Sequence, residues 1–159
     1  MDSRQLRLME LARGGERRVE EAPAAAGWIS GDASIRSCGD EIAVHIQIER
    51  GVVTAACYSG LGCALALASA EAVTRFLSGR GKSEAAELLT GARDLLSGGD
   101  QRKLEGERGE GALPKELEEL EFVREFPARK GCVLLAFDAA LAALSGRWSR
   151  ETAERGSTR

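Results

Sequence analysis

An alternation of apolar and polar residues over positions 42–49 limits the possible folds of this chain more than any other feature. The apolar members recur at every second residue: Ile42, Val44, Ile46 and Ile48. A period of two is expected of a β-strand with one buried face and one exposed face. The pair Arg50-Gly51 then leads into a second apolar stretch, 52–58, so a hairpin is predicted. His45 alternates with the isoleucines and is therefore expected on the protein surface.

The remaining segments predict a third strand followed by helices. A weaker strand candidate spans 28–35, and together with the hairpin it completes a three-stranded antiparallel meander. Beyond the sheet the apolar residues take a helical period, which predicts helices between Gly62 and Gly79, over 84–96, over 114–126 and over about 132–144. The predicted fold class is α+β, a three-stranded antiparallel sheet with helices packed on one face.

The chain is predicted to hold one domain with an extension at each end. Its parts are an N-terminal helix and connector over 1–26, the main domain over 27–146 with a flexible loop insertion at 100–113, and a disordered tail over 147–159. The loop insertion is charged and glycine-rich, and the tail is polar. Within the N-terminal part, Gly14-Gly15 interrupts an amphipathic helix, and the charged stretch 16–21 is expected to resume it.

Composition and charge exclude several classes of protein. The 22 basic and 25 acidic residues give a net charge of −3, so no nucleic-acid partner is expected. No apolar stretch approaches the roughly 20 residues of a membrane span, so no membrane partner is expected either. The four cysteines are scattered and no secretory signal precedes them. This pattern favours thiol chemistry in a reducing compartment over a disulfide framework, and it predicts a cytoplasmic protein.

Three cysteines and one aspartate stand where predicted loops meet predicted strands or helices. Cys38 and Asp40 precede the alternating strand, whereas Cys63 opens the first helix after the sheet and Cys132 opens the last. Three thiolates and one carboxylate are a suitable ligand set for a tetrahedral divalent metal, with Zn²⁺ the first candidate. The free amides and positive dipole end of a helix start are expected to lower the pKa of Cys63 and Cys132.

Other interpretations of these residues stay open at this point. Buried cysteines are often simply small apolar side chains, and Asp40 could be an ordinary loop or capping aspartate. Arg129, three residues before Cys132, could stabilise a nearby thiolate or persulfide, or could be a solvated surface cation. Cys57 lies on the second strand of the hairpin and is interpreted as structural.

Three motifs together carry a resemblance to a known family. They are Cys38-Gly39-Asp40 before the alternating strand, Tyr58 and Gly60-Leu61-Gly62-Cys63 followed by Ala68-Ser69-Ala70, and Phe126-Pro127-Ala128-Arg129 just before Cys132. Over about residues 37–144 the chain resembles the IscU/NifU N-terminal family of iron–sulfur cluster assembly proteins. The long stretch between the second and third cysteines of the site is similar to the SufU branch. Gly131 stands where the IscU branch has a histidine.

The resemblance implies an α+β fold with a metal site made by Cys38, Asp40, Cys63 and Cys132. It further implies a SufU-like protein that binds zinc and accepts persulfide sulfur from a pyridoxal-phosphate-dependent, SufS-like cysteine desulfurase. Such a protein would be a sulfurtransferase-like persulfide carrier, and its sulfur would pass to downstream cluster-assembly proteins. Cys38 is the expected acceptor because it lies in a glycine-flanked loop, with Cys132 as the second candidate.

Two alternatives to this function remain. The first is an IscU-like scaffold that binds iron and assembles and transfers a [2Fe–2S] cluster. The second belongs to another class, a structural zinc-binding interaction module without sulfur chemistry. Dependence of folding on metal would separate the second from the others, because a purely structural site loses its fold with its metal.

Overall fold

The alternating run forms the central strand of a three-stranded antiparallel sheet. In the computed structural model, which describes residues 3–98 and 113–146, the strands are β1 (Trp28–Ile35), β2 (Asp40–Glu49) and β3 (Val52–Leu61). Their order in the sheet is β1-β2-β3, and both pairings are antiparallel. The predicted meander is confirmed. The predicted loop insertion up to residue 112 and the predicted tail over 147–159 lie outside the described residues.

Helices precede and follow the sheet. They are α1 (Ser3–Gly14), α2 (Ala64–Leu77), α3 (Lys82–Leu96), a 3₁₀ helix (Lys115–Glu125), a 3₁₀ turn (Pro127–Arg129) and α4 (Lys130–Leu144). No helix among the described residues combines the length and apolar character needed to cross a bilayer. The positions of the helices agree with the predicted α+β fold.

The segment after Pro114 was expected to be helical, and its apolar period explains why it is a 3₁₀ helix. Leu117, Leu120 and Val123 lie three residues apart, and all three are fully buried. A 3₁₀ helix has three residues per turn, so side chains at this spacing stack on one face. An α-helix, at 3.6 residues per turn, would spread them around its surface. Burial of these three residues on one face therefore explains why the 3₁₀ helix continues for longer than such helices usually do.

The helices cover one face of the sheet, and the core lies between them. On β2 the residues Ile42, Val44 and Ile46 are fully buried on this inner face. Helix α4 packs on β1 and β2, and α2 packs on β3 and α4. The contact between β1 and α4 is very close at Gly31, where any side chain would meet backbone atoms of Ala139 and Ala143. Glycine at this position lets α4 lie directly against the sheet.

Residues 17–19 form a short extended segment beside β3, so the prediction that 16–21 resumes the helix is wrong. Arg18 forms a parallel bridge with Tyr58. The N–H of Tyr58 donates to the Arg17 carbonyl at 2.9 Å, and the N–H of Val19 donates to the Tyr58 carbonyl at 2.7 Å. Gly15, at a φ of +52°, turns the chain away from α1. The outer edge of β3 then supplies backbone partners that a helix over these residues would not use.

His45 is buried, so the expectation of a surface histidine is wrong. The side chain does lie on the sheet face opposite the isoleucines, as the alternation predicts, but only 3% of it is exposed. Its Nδ1 lies 2.7 Å from the Ser30 hydroxyl on β1, and its Nε2 lies 2.8 Å from the Ser59 hydroxyl on β3. Both ring nitrogens therefore have partners, which reduces the cost of burying the imidazole.

The burial of His45 predicts a stability that falls in mild acid. Burial lowers the pKa of His45, and the negative charge of Asp32 offsets this only in part. Because the folded-state pKa is below the unfolded value of about 6.5, the stability gained from neutral His45 is complete above about pH 6.5. It is lost as the pH falls from that value through the lower folded-state pKa. Urea unfolding of metal-free protein between pH 8 and 5.5 should show a slope of up to about 1.4 kcal/mol per pH unit.

The matched control is His45→Gln, which removes the one histidine of the sequence. Its free energy of unfolding should be lower than that of the wild type at pH 8 and nearly constant down to pH 6. An equal pH slope in the two proteins would show that His45 is not the titrating group.

Candidate metal centre

The loop between β1 and β2 places Cys38 at an exposed tip and Asp40 at a buried strand start. The N–H of Gly39 donates to the Ile35 carbonyl at 2.9 Å, and Gly39 takes a φ of +75°, which closes a tight turn. Cys38, at this turn, is exposed to solvent. Asp40 is the first residue of β2 and is only 7% exposed, on the same face as Ile42. The turn therefore leaves Cys38 accessible to solvent and buries Asp40 against the core.

Cys63 is the N-cap residue of α2 and lies next to Asp40. Its side chain makes no capping hydrogen bond, and its N–H donates to Oδ2 of Asp40 at 3.4 Å. The preceding residue, Gly62, has little free space around it. A Cβ there would lie 2.9 Å from the Cβ of Ala66 and 3.5 Å from Cγ of Asp40. The absence of a side chain at Gly62 therefore lets the start of α2 approach the carboxylate.

Cys132 is the third residue of α4 and faces the other three candidates. Its Sγ, the Sγ of Cys38 and a carboxylate oxygen of Asp40 all lie within 4.8 Å of one another. Cys63 lies outside this group of three but is close enough to Cys132 to interact with it electrostatically. The structure thus brings all four predicted site residues to one end of the sheet. Their role as metal ligands stays a prediction.

The environment of Cys132 favours the protonated thiol in the metal-free site. Burial raises its pKa to about 12, with further contributions from the interaction with Cys63 and from the charges of Asp40 and Cys38. This direction is opposite to the lowering expected from its place at a helix start. Desolvation and neighbouring negative charge outweigh the helix dipole here.

The donor set fits a bound divalent metal ion. Anionic sulfur and oxygen atoms repel one another at such short separations. A divalent cation between them would replace this repulsion with attraction. Three thiolates with one carboxylate match the ligand preferences of zinc and are also suited to iron. Cys132, whose thiol stays protonated in the metal-free site, would then be stabilised as a thiolate by the bound cation.

Two further residues considered in the sequence analysis are not members of this cluster. Arg129 is exposed in the 3₁₀ turn, and within the described chain its guanidinium has no ion-pair partner. It lines an apolar cavity of about 560 Å³ with Phe122 and Phe126, between α1 and the 3₁₀ helix. Cys57 lies opposite His45 in the sheet and is buried, and burial raises the pKa of its thiol. Its burial agrees with the structural interpretation.

One residue near the cluster was quoted from the sequence without a role. Ser69 is fully buried on α2, and its hydroxyl donates to the carbonyl of Val133 on α4 at 2.6 Å. The available signal was a hydroxyl within the alanine-rich stretch of a predicted buried helix. The acceptor could not be predicted because it depends on how α2 and α4 pack.

Known proteins resemble this chain in both sequence and fold. The family model for the NifU-like N-terminal domain matches residues 15–121, a range that contains Cys38, Asp40 and Cys63 and ends before Cys132. The iron–sulfur cluster assembly scaffold protein IscU of Thermotoga maritima is 31% identical over 110 residues, which cover 68% of this chain and 70% of that protein. The zinc-dependent sulfurtransferase SufU of Bacillus subtilis is 27% identical over 108 residues, covering 68% and 69%.

A solved structure extends the likeness over most of the chain. It is that of a protein described as a putative iron–sulfur cluster assembly scaffold for the SUF system, from Fervidobacterium islandicum. It superimposes with a TM-score of 0.68 at 21% sequence identity and covers 91% of this chain and 96% of its own. At this identity the likeness concerns the fold, and it agrees with the sheet and helices described above. The match of the family model across more than half of the sequence is the stronger finding, and by it the chain belongs to the NifU-like N-terminal domain family.

Proposed function

We propose that this protein acts in iron–sulfur cluster assembly as a SufU-like acceptor of persulfide sulfur. The observation that carries the proposal is the grouping of the exposed Cys38 thiol with Asp40 and Cys132, all within 4.8 Å. The likeness to a zinc-dependent sulfurtransferase and to an assembly scaffold supports it. The sulfur donor would be a pyridoxal-phosphate-dependent cysteine desulfurase of the SufS kind, and downstream cluster-assembly proteins would receive the sulfur.

Zinc would be held by Cys38, Asp40, Cys63 and Cys132. When bound there, it would stabilise the thiolate forms of the three cysteines. The chain itself contributes the placement of the ligands: a tight turn for Cys38, a strand start for Asp40, and helix starts for the two remaining cysteines. Asp40 would be the most exchangeable of the four ligands because a carboxylate binds zinc as a harder donor than thiolate.

Cys38 is the proposed acceptor because its thiol is exposed, whereas Cys63 and Cys132 are half-buried. In the transfer step, the Cys38 thiolate attacks the outer sulfur of the donor's cysteine persulfide. A new sulfur–sulfur bond forms on Cys38 as the donor's sulfur–sulfur bond breaks, and the donor's cysteine leaves as a thiolate. No external oxidant or reductant is needed. Cys132 is the second candidate acceptor.

Arg129 is proposed to stabilise the charged sulfur. It precedes Cys132 by one turn, and its guanidinium is exposed with no ion-pair partner in the described parts of the chain. A guanidinium is always protonated and would favour a thiolate or persulfide anion placed beside it.

An IscU-like scaffold is the second candidate function. The relative from Thermotoga maritima carries that name at the higher sequence identity, and the same donor set suits iron. In that case a [2Fe–2S] cluster would be the cargo that the site builds and passes on. A structural zinc module is less favoured, because none of the four candidate ligands belongs to the buried core around Ile46, Phe76 and Phe137.

Metal analysis tests the site directly. We expect one zinc per chain in aerobically purified protein, and Cys63→Ala or Cys132→Ala should remove most of it while far-ultraviolet circular dichroism stays unchanged. Asp40→Ala should alter the rate of metal release more than it harms the fold. Elemental analysis of aerobic and anaerobic preparations would show whether zinc or iron is the native metal. The control is Cys57→Ser, which should keep its metal. Full occupancy in the Cys63 or Cys132 variant would contradict the assignment.

Sulfur transfer tests the proposed activity. After incubation with an active SufS-like desulfurase and cysteine, mass spectrometry should find one extra sulfur on the peptide that contains Cys38. Alanine formation by the desulfurase should accelerate, because unloading its persulfide permits the next turnover. Cys38→Ser should abolish both effects, and Cys57→Ser should change neither. Persulfide on Cys132 alone would reassign the acceptor. No labelled cysteine and no rate change, with a confirmed active donor, would favour the scaffold function or the structural module.

A further inference from the structure

Helices α2 and α4 carry two of the proposed ligands, and one buried hydrogen bond joins them close to those ligands. Ser69, in the second turn of α2 after Cys63, donates from its hydroxyl to the carbonyl of Val133 at 2.6 Å. Val133 directly follows Cys132 in the first turn of α4. Ser69 is fully buried, so water does not compete for the bond.

This hydrogen bond departs from the usual behaviour of hydroxyl side chains inside helices. Ser and Thr commonly donate to the carbonyl four residues earlier in their own helix. Thr74 on α2 does so to Ala70 at 2.8 Å, and Thr90 on α3 does so to Ala86 at 2.8 Å. The Ser69 hydroxyl instead reaches the backbone of a different helix. This hydrogen bond therefore constrains the position of α4 relative to α2.

We infer that Ser69 is a positioning residue for the metal centre, whose hydrogen bond to Val133 sets the separation of Cys132 from Cys63. This inference rests on the proposed metal site. Near the ligands the surrounding contacts alone would leave the helices freer to slide, because the buried apolar residues in the first turns of α2 are all alanine: Ala66, Ala68, Ala70 and Ala72. The larger buried side chains of α2, Val73, Phe76 and Leu77, lie further along the helix. Methyl groups fill space but do not define one axial offset between two helices, whereas a short directional bond does.

The energetic role of Ser69 differs from that of a ligand. The carbonyl of Val133 has two lone pairs, so it can accept from Ser69 and also from the backbone of its own helix. Removing the hydroxyl therefore leaves no buried carbonyl without a partner. Alanine also has the higher helix propensity, so Ser69→Ala should keep the fold. The expected effect of Ser69→Ala is then confined to the relative position of the first turns of α2 and α4.

The first experiment measures zinc affinity by competition with a chromophoric chelator. Ser69→Ala is expected to bind zinc roughly tenfold more weakly than the wild type, the lower end of the effect seen for residues that orient metal ligands. The matched control is Thr74→Val, which deletes another fully buried hydroxyl of α2 whose bonds stay within that helix. Thr74→Val should retain the wild-type affinity. Equal weakening in both variants, or none in Ser69→Ala, would overturn the inference.

A second experiment needs no metal and so separates this inference from the proposed function. In a Cys38→Ser, Cys57→Ser background with chelator present, glutathione disulfide oxidises the thiols of Cys63 and Cys132 to one disulfide and is reduced to two glutathione molecules. The equilibrium gives the effective concentration of one thiol at the other. Ser69→Ala should lower this concentration severalfold, and Thr74→Val should not. An unchanged value in Ser69→Ala would refute the inference, whereas a lowered value with no zinc binding by the wild type would refute only the metal site.

Discussion

The near-contact of α4 with β1 at Gly31 is the constraint on which the rest of the molecule depends. With no side chain between them, the backbone of the helix lies against the backbone of the strand, and Ala139 and Ala143 complete the contact. This fixes the height of the last helix above the sheet and therefore the location of its first turn, which carries Cys132. The strand in turn leads into the loop that carries Cys38. A packing contact between small residues thus determines how two distant parts of the chain meet.

The site shows why such rigidity is useful. When thiols and a carboxylate are held close together, any state in which more than one of them is ionised has a higher free energy. This repulsion adds to the effect of burial, which is the main cause of the high pKa of Cys132. A flexible chain would relieve that repulsion by moving the groups apart. Here the strand start, the two helix starts and the buried bond from Ser69 oppose such movement. The surrounding fold therefore keeps these four groups together despite the electrostatic cost of ionising them.

Much of the fold could be predicted because it follows from local periodicity. The period of two on β2 and the period of three in the 3₁₀ helix both reflect which side chains must be buried, and that information is local. The pairing of residues 17–19 with β3 could not be predicted because it depends on an edge formed far along the chain. The burial of His45 has the same cause, since its serine partners come from two other strands. For the site, the sequence indicated which four residues would meet. The direction in which the pKa of Cys132 shifts could not be predicted, because it depends on how deeply the thiol is buried and on its distances to the other three residues.

The hydrogen-bonded row from Ser30 through His45 to Ser59 has a consequence for Asp40, at the start of β2. These three side chains can form hydrogen bonds with one another only if β1 and β3 keep their present register with β2. A register shift of one residue would turn the imidazole to the opposite face of the sheet. The same slip would turn Asp40 away from the cysteines, because Asp40 shares its face with Ile42. His45, five residues along β2 from Asp40, thus helps to keep the carboxylate aligned with the cysteines around it. The position of Asp40 beside the three cysteines therefore depends partly on hydrogen bonds that do not involve Asp40 itself.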